Sequence, residues 1–303
     1  MKKVVFFIVF LAISGQLVYA ASVNNTNSMN IQTLASTSTP TVAYGTSLDF
    51  SKADQGIVSL FYYSASTNKM KLIISLGEEK YTYNVFSDKE NVNYPLQLGN
   101  GNYTVSLYEN TSGTKYRKVL SQTKNVQLKT ENVVYLQSIL EVEWDENDAS
   151  IEIVDEILAE ALVEKKSTVA KYRQASTRLT EKDKVLAIYE FVIENIAYDY
   201  NKIKTLDYSY LPDNDRTLEI KTGICYDYSS LLGSMLRSQG IPAKMVKGYA
   251  KDSTTYHAWN EIYLSAEKRW VVVDATLDAY LVQNDKKYTF EQKASDYNKV
   301  KEF

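Results

Sequence analysis

The chain has 303 residues, 45% of them apolar, with 34 basic residues against 37 acidic ones. That length exceeds one typical domain and predicts two, and the apolar content is ample for packed cores. The near-balanced, slightly acidic charge argues against nucleic acid or an anionic membrane as the main partner.

The first twenty residues, MKKVVFFIVFLAISGQLVYA, carry a basic start at Lys2 and Lys3, an apolar run from Val4 to about Ile13, and small residues at Val18 and Ala20. This pattern predicts a secretory signal peptide cleaved after Ala20. The run is shorter than the ~20 residues a spanning helix needs, so no membrane span is expected after cleavage. Loss of Lys2 and Lys3 leaves 32 basic against 37 acidic residues, a net charge of −5. The expected location is extracellular, free or associated with the cell surface. Residues 21–41 are rich in Ser, Thr and Asn and read as a disordered linker.

Residues 42–130 change character. Short runs such as GIVSLFYYS, KMKLIISLG, KYTYNVF, NYTVSLYE and KNVQLK alternate apolar with polar residues. Turn-forming stretches at Ser64 to Asn68, Gly99 to Asn102 and Thr111 to Gly113 separate them. Short strands at this spacing predict a small β-sandwich-like domain, with no catalytic constellation in it.

Residues 131–303 form the second predicted domain, and here the period lengthens. SIEIVDEILAEALVEKKSTVAKYRQ and EKDKVLAIYEFVIENIAY read as amphipathic helices; in the second, Val185, Ile188, Phe191, Val192 and Ile196 follow helical spacing. Thr180 with Asp183 has the spacing of a capping box. A long connection, DYNKIKTLDYSYLPDNDRTLEIK, follows.

TGICYDYSSLL then brings in Cys225, the only cysteine, which cannot form an internal disulfide. Tyr228, Leu231, Leu232, Met235 and Leu236 continue its face of a helix that stops at RSQGIP, with Gly240 in the left-handed cap position. Cys225 therefore sits in the first turn, where unpaired amides and the helix dipole favour an anion. Gly223 leaves room for a backbone or substrate to come close. Taken alone, Cys225 reads equally well as a small buried hydrophobe.

His257, the only histidine, stands in the strand-like run YHAWNEIYL. One cysteine and one histidine in such settings make the pair a thiol enzyme requires. Asp274 in RWVVVDATLD is the candidate third member. The polar connection SAEKR between Leu264 and Trp270 suits a hairpin. A loop of two or four residues would set His257 and Asp274 on one sheet face, opposite or diagonal, while Val271 and Val273 point into a core. Asp274 can then bind one imidazole nitrogen and leave the other for the sulfur.

TGICYDYSSLLGSMLRSQGIPAKMVKGYA, YHAWNEIYL and RWVVVDAT, in that order, resemble the core of the transglutaminase-like superfamily. The resemblance covers roughly residues 135 to 285. It implies a papain-like α+β catalytic domain behind the β-sandwich-like one, with Cys225 as nucleophile, His257 as general base and acid, and Asp274 orienting the imidazolium. Ala275 departs from the proline many members carry there. An oxyanion hole is also implied; the Cys225 amide is one sensible donor and Tyr198 a candidate second, although Tyr198 equally suits a packed aromatic. Trp259 and Trp270 are candidate cleft aromatics or core residues.

The expected chemistry is acyl transfer from a protein or peptide amide, including cell-wall peptide, through a thioester. Water in place of an amine would make the protein a cysteine protease or amidase. A non-catalytic exported binding protein using the fold as a scaffold is the third reading. DENDA (145–149) and PDNDR (212–216) lack calcium-loop spacing and read as solvated loops. One histidine and one cysteine cannot assemble an ordinary zinc site, and no cofactor is expected.

Overall fold

The structure, a computed structural model, describes residues 45–303 apart from 64–67, 87, 88, 90, 173–177, 208 and 252. The expected signal peptide and linker, most of the Ser64 to Asn68 turn and the end of the first predicted helix lie outside the described residues.

Seven strands come first: β1 (Ser47–Asp49), β2 (Ile57–Phe61), β3 (Met70–Leu76), β4 (Glu79–Val85), β5 (Asn91–Pro95), β6 (Gly101–Ser112) and β7 (Lys115–Val126). They form two antiparallel sheets, in the orders β1-β2-β5 and β4-β3-β6-β7. Period-two patterning decides which faces are buried: Met70, Leu72 and Ile74 of β3 and Tyr103, Val105 and Leu107 of β6 turn inward. Val58 and Leu60 of β2 and Val92 and Tyr94 of β5 join them in one cluster. Each such side chain contributes about 1.5–3 kcal/mol by leaving water. That cluster does not end with the strands. Ile139, Leu140 and Val142, together with Met245 from the last sheet and Phe303 just beyond it, belong to it.

Helix α1 (Ala149–Tyr172) and helix α2 (Glu181–Asn195) follow. The Thr180 hydroxyl accepts from the Asp183 amide at 3.2 Å, and the Asp183 carboxylate accepts from the Thr180 amide at 2.6 Å, so the capping box forms with Asp in the third position. A two-residue strand, β8 (Ala197–Tyr198), leads into the segment expected to be a plain connection. It holds two helices instead, α3 (Lys202–Thr205) and α4 (Asn214–Ile220).

The reading of 212–216 as a solvated loop is corrected for the same reason. Asp213 caps α4 by accepting from the Arg216 amide at 2.9 Å, and Asp215 accepts from the Ala149 and Ser150 amides at 3.2 and 2.9 Å, capping α1 across the fold. Asn214 is buried between them.

Strand β9 (Thr222–Gly223) pairs parallel with β8 and delivers the chain to α5 (Cys225–Ser238), whose Tyr228, Leu231, Leu232, Met235 and Leu236 are fully buried. Gly240 ends it in the expected left-handed conformation, φ 71°. The last sheet has the order β12-β11-β10-β13, built from β10 (Ala243–Ala250), β11 (Tyr256–Leu264), β12 (Arg269–Val273) and β13 (Tyr297–Glu302), with α6 (Ala275–Gln283) between the last two. Arg237 ties α5 to this sheet by donating to the carbonyls of Gln137, Ala243 and Phe303 at 2.7–2.9 Å. The fold is the mixed α+β architecture that the resemblance implies.

Candidate active site

Cys225 is half-buried at the first position of α5. The helix begins there because Ile224 is still extended and Asp227 folds its carboxylate back onto the Ile224 amide at 2.8 Å. Gly223 is required by that same contact: a Cβ on it would lie 2.8 Å from the Asp227 Cβ. The close approach expected at Gly223 is therefore made by a side chain of the helix that follows it. Asp227 is completely buried and also accepts from Lys202 Nζ at 2.7 Å and from the Tyr210 hydroxyl. These bonds strap the α3 segment onto the tip of α5. Because Ile224 carries no side-chain oxygen, this half of a capping box has no Ser/Thr signature in the sequence, and the partners across the chain are equally hidden.

His257 is the second residue of β11. A four-residue turn, 265–268, separates β11 from β12, with Leu264 opposite Arg269 and Asn260 opposite Val273. Continuing that register sets Asp274 across from Trp259 and diagonal to His257 on the same face. His257 Nε2 lies 2.8 Å from Asp274 Oδ2. Val271 and Val273 point the other way and are buried. Asp274 itself follows the last strand residue and caps α6, Oδ1 accepting from the Leu277 amide at 3.0 Å. An aspartate directly before ATLDAYL is an N-cap signal that marks this helix start.

With Nε2 committed to Asp274, Nδ1 is the nitrogen left for Cys225. Burial opposes the charged ring, but hydrogen bonding to Asp274 and Cys225 and their negative charge outweigh it, so His257 is pushed up to about 10. The ring is an imidazolium across the neutral range. The structure thus brings Cys225, His257 and Asp274 together.

Tyr198 pairs with Gly223 in the β8/β9 ladder, which puts it beside the Cys225 turn. It lines a groove of about 530 Å³ together with His257, Asp274, Tyr200, Tyr280 and Tyr297. Burial, then Cys225, raises its phenol. Trp259 does not reach that groove. It is 1% exposed, packed with Val246, Val272 and Tyr297, its ring 6.3 Å from that of His257. Trp270 packs against Tyr135 and Tyr263 under the Lys244 ammonium, so it too serves packing.

Two further features lacked any sequence signal. Lys247 Nζ sits 3.4 Å above the Tyr226 ring, beneath the start of α5. Burial lowers its ammonium and raises the neighbouring Glu141 carboxyl, while their mutual attraction opposes both shifts. Tyr297, beyond a long irregular stretch, donates its hydroxyl to Asp274 Oδ2 at 2.9 Å.

Residues 166–275 match the family model of the transglutaminase-like superfamily. Over 62 residues the chain is 36% identical to a peptide-N(4)-(N-acetyl-beta-glucosaminyl)asparagine amidase of Caenorhabditis briggsae, covering 20% of this chain and 10% of that protein. Over 116 residues it is 32% identical to the uncharacterized protein YebA of Bacillus subtilis (strain 168), covering 31% of this chain and 15% of that one. A solved structure of a Cytophaga hutchinsonii protein, provisionally classed as a cysteine protease, is similar with a TM-score of 0.38 and 16% identity, covering 82% of this chain and 76% of that one. The chain thus spans only about a tenth to a seventh of the length of the curated relatives it matches. The likeness to the transglutaminase-like superfamily is carried by the segment 166–275.

Proposed function

We propose that this protein is a thiol enzyme that cleaves a protein or peptide amide through a covalent thioester and passes the acyl group to an acceptor. The carrying observation is the 2.8 Å pairing of His257 Nε2 with Asp274, beside a cysteine at a helix tip. The Cys225 thiolate attacks the amide carbon; a C–S bond forms and the carbonyl pair moves onto oxygen. The Cys225 amide and the Tyr198 hydroxyl are the proposed donors to that oxyanion, where a single donor is typically worth about 10²–10³ in kcat. Collapse expels the amine, which takes its proton from the His257 imidazolium. His257, now neutral, accepts the proton of the incoming acceptor as it attacks the thioester, and the ion pair is restored.

A primary amine as acceptor gives a crosslink, and this is the first reading. Water gives hydrolysis; the identity with the nematode amidase over 62 residues supports keeping that as the second. The signal-like first twenty residues support extracellular protein or cell-wall peptide as the substrate class. Incubating the protein with casein-like or peptidoglycan peptides and a labelled primary amine separates the two. Label incorporation that Cys225→Ala abolishes supports transfer, cleavage that it abolishes supports hydrolysis, and activity retained by that variant contradicts both.

A further inference from the structure

The matched family segment ends at residue 275, yet the Asp274 carboxylate is shared with a side chain from well beyond it. Tyr297 opens β13, which pairs with β10, and its hydroxyl donates to Asp274 Oδ2 at 2.9 Å. This is the same oxygen that lies 2.8 Å from His257 Nε2. Oδ1 is already taken by the Leu277 amide at 3.0 Å. Three donors from β11, α6 and β13 therefore leave the carboxylate no freedom to rotate. The Tyr297 ring is held in turn by Trp259, with centroids 5.1 Å apart, and Trp259 also lies alongside the imidazole. This gives the buried tryptophan a part in holding the site while it stays out of the groove.

We propose that Tyr297 is a fourth, positioning residue of this site: by sharing Oδ2 it fixes the plane of Asp274 and tempers the pull of that carboxylate on the His257 imidazolium. The chemistry needs this balance. An imidazolium bound too tightly by its carboxylate is a poor acid for the leaving amine, and one bound too loosely loses its orientation. A phenol hydroxyl suits the task because it donates one hydrogen bond and stays neutral at working pH; burial and the nearby carboxylates of Asp274, Asp278 and Asp296 all push Tyr297 upward. The charged groups bearing on His257 itself are Asp274 and Cys225.

The inference rests on the reading of His257 and Asp274 as the working pair, but its test needs no turnover. His257 is the only histidine in the chain, so its ring protons can be followed by NMR without assignment. In Tyr297→Phe, which keeps the ring packing and removes only the hydroxyl, the His257 titration should move up by about half a pH unit. In Tyr280→Phe, a change in the same groove, it should stay where it is. With an amide substrate, kcat of Tyr297→Phe should fall about tenfold with KM within twofold. A His257 titration that is unchanged or lowered in Tyr297→Phe overturns the inference, whatever the activity assay gives. A raised titration in a protein without amidase or transferase activity would uphold it while the proposed function failed.

Discussion

Gly248 stands directly opposite His257 in the β10/β11 ladder, and it has no room for a side chain. A Cβ there would lie 2.1 Å from the Asn298 carbonyl oxygen and 2.8 Å from the Trp259 ring. A backbone oxygen in a strand cannot step aside as a flexible side chain can. Gly248→Ala should therefore push β13 off β10 and carry Tyr297 away from Asp274. The expected outcome is a loss of about 1–3 kcal/mol in urea denaturation, as for overpacked cores, and a fall in acyl-enzyme formation of at least about tenfold. A variant of normal stability and activity would show that β13 does not hold the site.

The buried Asp227 carboxylate anchors Lys202, Tyr210 and the Ile224 amide at once. Asp227→Ala leaves a partly buried ammonium without its counter-charge and removes the cap of α5. Breaking a buried ion pair from one side costs about 3–5 kcal/mol. Because Lys202 keeps 22% of its side chain exposed, the lower end of that range is expected. Limited proteolysis should show new cuts between residues 199 and 213, where the strap is released. Unchanged digestion would mean that the segment is held by other contacts.

Arg237 is 2% exposed and satisfies three carbonyls from separate parts of the chain. Arg237→Leu keeps the apolar volume and strands the carbonyls of Gln137 and Ala243, while that of Phe303 keeps the Met245 amide at 3.0 Å. At about 1–3 kcal/mol for each unpaired group, a loss of at least about 2 kcal/mol by chemical denaturation is expected. Arg237→Lys should recover only part of it, since an ammonium cannot reproduce the planar fork. Near-wild-type stability in the leucine variant would remove Arg237 from the set of contacts that join α5 to the sheet.

The raised His257 gives stability a pH signature. In the unfolded chain histidine titrates near 6.5, while in the fold it is held up to about 10. The folded protein thus binds the proton more tightly, so this contribution is complete below about pH 6.5 and is lost as pH rises toward 10. Thermal unfolding of the wild type should fall more steeply across that window than that of His257→Gln. Cys225→Ala should lessen the slope, because the cysteine supplies part of the shift. Parallel curves for wild type and His257→Gln would contradict the ion-pair description.

Much of the site was legible because its signals are local. A helix face beginning at Cys225, a left-handed glycine at 240 and strand alternation around His257 and Val273 are all read from neighbours a few residues apart. Counting SAEKR as a short turn sufficed to put His257 and Asp274 on one face. What stayed hidden depends on contacts far apart in sequence. Tyr297 reaches Asp274 only because β13 returns beside β10, and no pattern near residue 297 announces a partner. Likewise, Asp213 and Asp215 look like loop carboxylates until their helices are placed; the two then cap different helices. In β5, Asn91 and Asn93 alternate with the buried Val92 and Tyr94, a period-two pattern too short to stand out by itself, and its pairing with β2 comes from tertiary packing. The merging of Phe303 and Met245 into the core of the first seven strands is equally non-local.

The measurement that bears most directly on the proposed chemistry is intact and peptide mass analysis after rapid acid quench of the protein with a reactive acyl donor, such as a glutamine-peptide aryl ester. A mass increase equal to the acyl group, located on the 222–232 peptide, reversed by hydroxylamine and absent in Cys225→Ser, is the predicted result. Turnover of the donor with no adduct on Cys225, or undiminished turnover in the serine variant, would contradict it.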